Sequence, residues 1–212
     1  MEVVIAGGHG QIALRLARLL SERGERVRSI VRNPDHVPDV EAAGAEGVVF
    51  DLEGEGDLES VVRGADAVVF AAGAGPGSGP ERKRTVDLGA AVKLIEAARA
   101  TGVRRYVMVS SIGADDPGSG SEAMRPYLQA KADADAALTA SGLDYTIVRP
   151  GVLTNDPGTS RVTAGPDVAR AVVTRDDVAA VIVAALDEPR TIGKTFVVVE
   201  GETPIPSALA QL

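Results

Sequence analysis

A β-branched run, Glu2–Ala6, passes straight into Gly7-Gly8-His9-Gly10-Gln11-Ile12-Ala13 and from there into an amphipathic helical stretch. Nothing else in the chain constrains its fold as tightly. A strand, a glycine turn and a helix in that order open a βαβ unit, which commits neighbouring strands to run parallel. Gly7, Gly10 and Ala13 keep the G-x-x-G-x-x-G/A spacing. Gly7 permits the tight turn, Gly10 lets the backbone approach a pyrophosphate, and the small Ala13 lets helix and strand pack closely. Free N–H groups at the helix start then meet phosphate at the positive end of the helix dipole. Gly8, Gln11 and Ile12 complete this expected dinucleotide-binding turn. His9 stands within it, either as a solvated loop residue or as a phosphate contact.

The alternation continues along the chain. Ile12, Leu16, Leu19 and Leu20 mark one face of a helix over 11–23, which Gly24 stops. Further strands are expected at 26–31, 47–51, 66–72, 104–110, 144–149 and 194–199. Helices are expected at 81–101, around Tyr127 and Lys131, and from Thr174, whose Thr174-x-x-Asp177 pattern reads as a capping box. Residues 151–165 read as a loop and 207–212 as a final helical turn. The fold class is therefore α/β, a Rossmann-type doubly wound parallel sheet of about seven strands with helices on both faces. The 212 residues suit one generous domain, in which 151–212 adds a short substrate-side portion.

Composition narrows the function. Aromatic residues are only 3% of the chain, so the core must come from Val, Ala, Leu and Ile. A net charge of −8 argues against a nucleic-acid partner, which would want a basic face. Zero cysteines exclude disulfides, thiolate metal sites and cysteine nucleophiles. His9 and His36 are the two histidines, too few and too separated for a metal cluster, and no metal is expected. No basic-then-apolar leader is visible and the longest apolar helical run, 178–186, is far short of a membrane span. A cytoplasmic protein with a small-molecule substrate and no membrane contact is the expectation.

Open α/β sheets bind ligands beyond the carboxyl ends of their strands. Arg32 closes the second strand, where an acidic residue would suit the ribose of NAD and an arginine suits the 2′-phosphate of NADP. NADP(H) is thus expected over NAD(H), the other reading being a surface arginine. Asp51 and Leu52 are placed to border an adenine. Ala71, Ala72 and Gly73 would let a cofactor pass close to strand four, or they simply pack there. The glycine-rich stretches 72–80 and 113–121 are either flaps over a cofactor or merely long loops. Ser110 and Ser111 close the fifth strand. Tyr127 and Lys131 share a helix face one turn apart, where a cation can lower the pKa of a phenol and hold a sugar hydroxyl.

These residues, in this order, carry a family resemblance over nearly the whole chain. Gly7 to Ala13, Val31-Arg32-Asn33-Pro34, Val107-Met108-Val109-Ser110-Ser111, Tyr127-x-x-x-Lys131 and Tyr145-Thr146-Ile147-Val148-Arg149-Pro150-Gly151 resemble the atypical short-chain dehydrogenase/reductases. The resemblance is to their small NAD(P)H-binding branch, near NmrA-like proteins and biliverdin/flavin reductases. It implies Tyr127 as general acid, Lys131 as the cation that activates it and binds the nicotinamide ribose, and Ser111 as hydrogen-bond donor to the substrate oxygen, with Ser110 the second candidate. It also implies that Ser110 contacts the cofactor and that Pro150, Gly151 and Val152 line the nicotinamide. The usual tetrad adds an asparagine on the helix before strand five; residues 81–101 contain none, and Asp87 stands in that region. The short tail after Pro150 disfavours a nucleotide-sugar substrate. An NADPH-dependent reductase of a small carbonyl, quinone or flavin is expected. The alternatives are a non-catalytic NADP(H)-binding redox sensor acting on a protein partner and an epimerase or isomerase with tightly held cofactor. A homodimer through the helices at 81–101 and around Tyr127 is compatible with both.

Overall fold

The structure, a computed structural model, describes residues 1–75 and 77–212. The first half alternates β1 (Glu2–Ala6), α1 (Gln11–Glu22), β2 (Arg26–Val31), α2 (Val37–Ala42), β3 (Glu46–Val49), α3 (Leu58–Val62) and β4 (Ala67–Phe70). A helix then enters as α4 (Pro80–Arg82), widens into a π-helical stretch over Lys83–Ala90 and continues as α5 (Ala91–Thr101). After it come β5 (Arg105–Val109), α6 (Arg125–Thr139), β6 (Asp144–Pro150), β7 (Val152–Thr154), β8 (Arg161–Gly165) and β9 (Val172–Thr174). The chain closes with α7 (Arg175–Asp187), β10 (Lys194–Glu200), β11 (Thr203–Pro204) and α8 (Ile205–Leu209).

Strands β3, β2, β1, β4, β5, β6 and β10 lie side by side and parallel, so their carboxyl ends share one edge. These are the seven strands expected from the β-branched runs. Two strands outside that expectation extend the sheet past β10: β8 runs antiparallel to β10, and β11 pairs antiparallel with β8 at the edge. The crossovers go one way from β1 to β3 and the other way from β4 to β10, which puts the switch point between β1 and β4.

Alternation along each strand builds both layers. Val3 and Ile5 of β1, with Val69, Val107 and Val148, pack under Leu16 and Leu20 of α1 and Val178 and Ile182 of α7. Val4 and Ala6, with Val68, Phe70, Met108 and Ile147, pack on the other face against Leu94 and Ala98 of α5 and Ala134 and Leu138 of α6. Every one of these side chains is at most 1% exposed, so both faces are sealed and the carboxyl edge is left as the place for a ligand.

Residues 151–165 are not a plain loop. Val152–Thr154 pairs with Val172–Thr174 in a two-stranded parallel ribbon, and Arg161–Gly165 joins the main sheet. Their length of three to five residues, without a long apolar run, hid them in the sequence. Asp177 anchors this region. Thr174 caps α7 by accepting the Asp177 N–H at 3.0 Å, as the capping pattern implies. The Asp177 carboxylate, 2% exposed, reaches outward and accepts the N–H groups of Thr159 at 3.0 Å and Ser160 at 2.7 Å. That grip holds Ser160 at φ 59°, a left-handed conformation costly for a non-glycine residue. Replacing Asp177 with alanine strands two backbone donors and the Thr174 hydroxyl, which donates to the carboxylate at 2.9 Å; urea unfolding of Asp177→Ala should show a loss of about 2–4 kcal/mol. A loss under about 0.5 kcal/mol, the range of surface changes, would contradict this role.

Candidate functional site

The glycine turn sits at the switch point, and steric contacts dictate its composition. A Cβ on Gly7, whose φ is +82°, would lie 2.6 Å from Ala72 Cα, and one on Gly8 would lie 2.7 Å from Ser29 Cβ. The turn closes through Gly10 N–H to the Gly7 carbonyl at 2.8 Å and is tied to β2 through Gly8 N–H to the Ile30 carbonyl at 2.8 Å. The first intrahelical bond of α1 runs from Leu14 N–H to the Gly10 carbonyl at 2.9 Å, so the N–H groups of Gln11, Ile12 and Ala13 precede it. No side chain caps this helix start and no acidic residue lies in its first turn. A helix dipole left uncompensated beside a turn that only glycine can form fits a pyrophosphate.

Two cavities flank this turn and meet at Ala72 and Gly73. The smaller, about 190 Å³, is lined by Gly7, Arg32, Asp51 and Leu52, together with His36, Glu53 and Arg82. The larger, about 480 Å³, is walled by Ile12, Ala71, Ser110, Ser111, Tyr127, Lys131, Pro150 and Gly151. Together they make a two-lobed crevice along the carboxyl ends of the strands, long enough in kind for a dinucleotide laid across the switch point. A further cleft of about 580 Å³ opens between α1, α7 and α8 beside Leu19, Val183 and Leu209; it holds none of the candidate residues.

In the larger lobe α6 delivers Tyr127 and Lys131 as neighbouring side chains, with Lys131 Nζ 5.8 Å from the centre of the Tyr127 ring. Lys131 is 3% exposed and Asp87, on the π-helical stretch, is 0% exposed. Nζ lies 3.2 Å from Asp87 Oδ1 and donates to the carbonyls of Val109 at 3.2 Å and, weakly, Ala72 at 3.5 Å. Asp87 Oδ1 has the distance of an ion pair without the alignment of a hydrogen bond. The field that Lys131 presents to Tyr127 is therefore that of an ion pair, weaker than the lone cation the Tyr-x-x-x-Lys spacing suggests. The other Asp87 oxygen accepts the Ala74 N–H at 3.3 Å, so the same carboxylate ties down the strand-four loop.

The two serines divide. The Ser110 hydroxyl donates to Asp135 Oδ2 at 2.9 Å, where Arg149 Nε also donates at 3.0 Å, and Ser110 is 4% exposed. Burial pushes the Asp135 carboxyl above its ordinary pKa, against the Ser110 hydrogen bond and the Arg149 charge, which favour the ionised form. Ser110 Oγ thus serves an internal network, although the residue borders the cavity. The hydroxyl of the half-buried Ser111 makes, among the described residues, one 3.3 Å contact, to the Ile112 carbonyl, and can turn toward a ligand.

Some residues lie elsewhere than the sequence suggests. Val152 is 49% exposed on β7, and strand alternation puts Leu153 in the cavity wall instead. Gln11 keeps its place at the start of α1 with its N–H free among the described residues, although the residue is exposed and its carbonyl accepts from Arg15 at 2.9 Å. His9 is paired with Asp39 at 2.7 Å and stacked on His36 at 3.6 Å, beside the crevice rather than in its wall. Missed from the sequence were Glu53, Arg82, Lys83, Met124 and Arg175, all on cavity walls and all brought there by contacts that leave no periodic trace.

The comparisons bear on the family and the fold. The sugar epimerase YhfK of Bacillus subtilis (strain 168), which is uncharacterized, is 43% identical over the full length of both chains. A solved structure from Bacillus halodurans, described as an NAD-dependent epimerase/dehydratase, is 42% identical with full coverage of both and a TM-score of 0.95. The oxidoreductase ylbE of Lactococcus lactis is 32% identical with a TM-score of 0.88, covering 100% of this chain and 96% of that one. A family model described as NAD(P)H-binding matches residues 7–189, from the glycine turn to just past α7, and the chain belongs to that family.

Proposed function

We propose that this chain is an NADPH-dependent reductase of a small carbonyl, quinone or flavin-type acceptor, with Tyr127 as the proton donor. The observation that carries the reading is the convergence of Tyr127, Lys131 and Ser111 on the wall of one cavity at the carboxyl ends of the strands, adjoining the glycine turn. A bound dihydronicotinamide supplies a hydride there. The chain's own part is to place the acceptor and move the proton. The Tyr127 hydroxyl gives its proton to the acceptor oxygen as the carbon gains hydride, leaving an alcohol and a phenolate that reprotonates from water. Ser111 donates a hydrogen bond to the same oxygen and stabilises charge as it builds. Lys131, locked by Asp87 and two carbonyls, positions a ribose hydroxyl and supports the phenolate. Arg32, in the smaller lobe, supports NADP over NAD.

The acceptor is small on this reading. A lobe of about 480 Å³ must also take the nicotinamide and its ribose, which leaves little room for a nucleotide-linked sugar. A second reading, epimerisation with retained nucleotide, is favoured by the names of two relatives at 42–43% identity. The same tyrosine would serve it, and the two differ in stoichiometry. A reductase consumes one NADPH for each acceptor reduced; an epimerase inverts its substrate with no net change at 340 nm, a wavelength set by the dihydronicotinamide itself.

Tyr127→Phe removes the proton and little else. It should lower kcat by about 10²–10⁴-fold while NADPH affinity stays within about twofold. Equal turnover in Tyr127→Phe would remove the tyrosine from the chemistry. Lys131→Met is a poorer probe, because it leaves the Asp87 charge buried without a partner and should cost about 3–5 kcal/mol of stability. Lys131→Met combined with Asp87→Leu should recover more than half of that loss in thermal unfolding without restoring turnover; recovered turnover would place Lys131 in a purely structural role.

A further inference from the structure

Arg32 is not alone in the smaller lobe. Its Nη1 lies 3.1 Å from Glu53 Oε2, and Arg82 Nη2 lies 3.2 Å from that same oxygen. Two guanidiniums from distant parts of the chain, one at the end of β2 and one at the head of the helix after β4, converge on one carboxylate atom. The other Glu53 oxygen accepts the Thr85 hydroxyl at 2.6 Å, which fixes the carboxylate from behind. Glu53 is the most enclosed of the three, its side chain 24% exposed against 55% for Arg32 and 42% for Arg82. All three line the lobe that Gly7, Asn33 and Asp51 also line, where this topology places an adenosine ribose.

We infer that Arg82 is the second arm of a two-arginine clamp for the 2′-phosphate of NADP, and that Glu53 is the chain's own anion holding that clamp in shape until the phosphate takes its place. The inference rests on the NADPH reading above and adds to it a residue and a competitor. Two cations sharing one oxygen are already within reach of a single tetrahedral anion, so their cost of ordering is met before a nucleotide arrives. A phosphate near −2 with three acceptor oxygens satisfies both forks better than a carboxylate oxygen of −1 shared between them. A 2′-hydroxyl carries no charge and does not displace Glu53, so the clamp discriminates between the two nucleotides rather than binding both. Arg82 also follows directly on the strand-four loop whose other end Asp87 grips through Ala74.

The test is direct titration of NADPH and NADH, read by the change in dihydronicotinamide fluorescence, on the wild-type chain, Arg82→Ala, Arg32→Ala and Glu53→Gln. Each substitution lies at the surface end of the lobe, and circular dichroism checks that the fold is kept. Arg82→Ala should weaken NADPH by about tenfold or more and NADH by less than about twofold. Arg32→Ala should do the same, and Glu53→Gln should tighten NADPH by about threefold, having lost the competing charge, and leave NADH unchanged. An Arg82→Ala that leaves the NADPH/NADH ratio at its wild-type value overturns the clamp even when the wild type prefers NADPH. A Glu53→Gln that weakens NADH makes Glu53 a ribose ligand and overturns its role as competitor. A wild type that binds NADH more tightly than NADPH sinks the cofactor reading itself, a separate failure visible before any variant is made.

Discussion

A lysine ammonium buried at 3% exposure is tolerable only where the protein answers its charge, and the carboxyl edge of this sheet is arranged around that answer. Asp87 stands 3.2 Å away on the helix after β4, and the carbonyls of Ala72 and Val109 complete the shell from the ends of β4 and β5. The pair therefore joins α6 to the π-helical stretch and both of them to the sheet. Removing either member leaves a buried charge alone, which is far more costly than the pair is stabilising. The widened helical turn at Lys83–Ala90 accommodates this junction: it carries Asp87 at 0% exposure and faces its carboxylate to both Lys131 and Ala74. Tyr127 inherits its position from this lock.

Much of this was legible in the sequence, for reasons tied to range. The β1–turn–α1 unit is local, and each glycine in it answers a clash within a few ångströms, so its spacing could be read directly. The Tyr127–Lys131 adjacency follows from helical periodicity, and the Thr174 cap from a three-residue pattern. The Asp87–Lys131 pair was not legible. Its partners are separated by most of a βαβ unit, and Asp87 read only as the residue standing in the region where the usual asparagine is missing. The structure gives it a different task, holding the lysine rather than relaying a proton. The same limit hid Glu53 and Arg82, whose meeting depends on the end of β3 and the start of α4 facing one another. Strands β7, β8 and β9 were missed because they are short and draw their order from Asp177 and from neighbouring strands rather than from their own composition.

Charge distribution supports the same picture at longer range. The chain carries a net −8, yet the walls of the two lobes set Arg32, Arg82, Lys83, Lys131 and Arg175 against Asp51, Glu53 and Asp87. An acidic body with a small excess of cations in its crevice favours an anionic ligand there over the rest of the surface. The solved relatives described as an epimerase/dehydratase and as an oxidoreductase share this fold, and one fold serves either outcome because the chemistry is set by the site it carries. In this chain Met124, Leu153 and Arg175 line the larger lobe together with Tyr127.

The most direct measurement is a crystal structure of the chain with NADPH bound. The account requires the nucleotide to cross the switch point at Ala72 and Gly73, with its ribose hydroxyls in hydrogen-bond reach of Lys131 Nζ and its nicotinamide carbon facing the Tyr127 hydroxyl. A nicotinamide lying outside the larger lobe, or a Tyr127 ring turned to solvent with the ribose bound elsewhere, would contradict it.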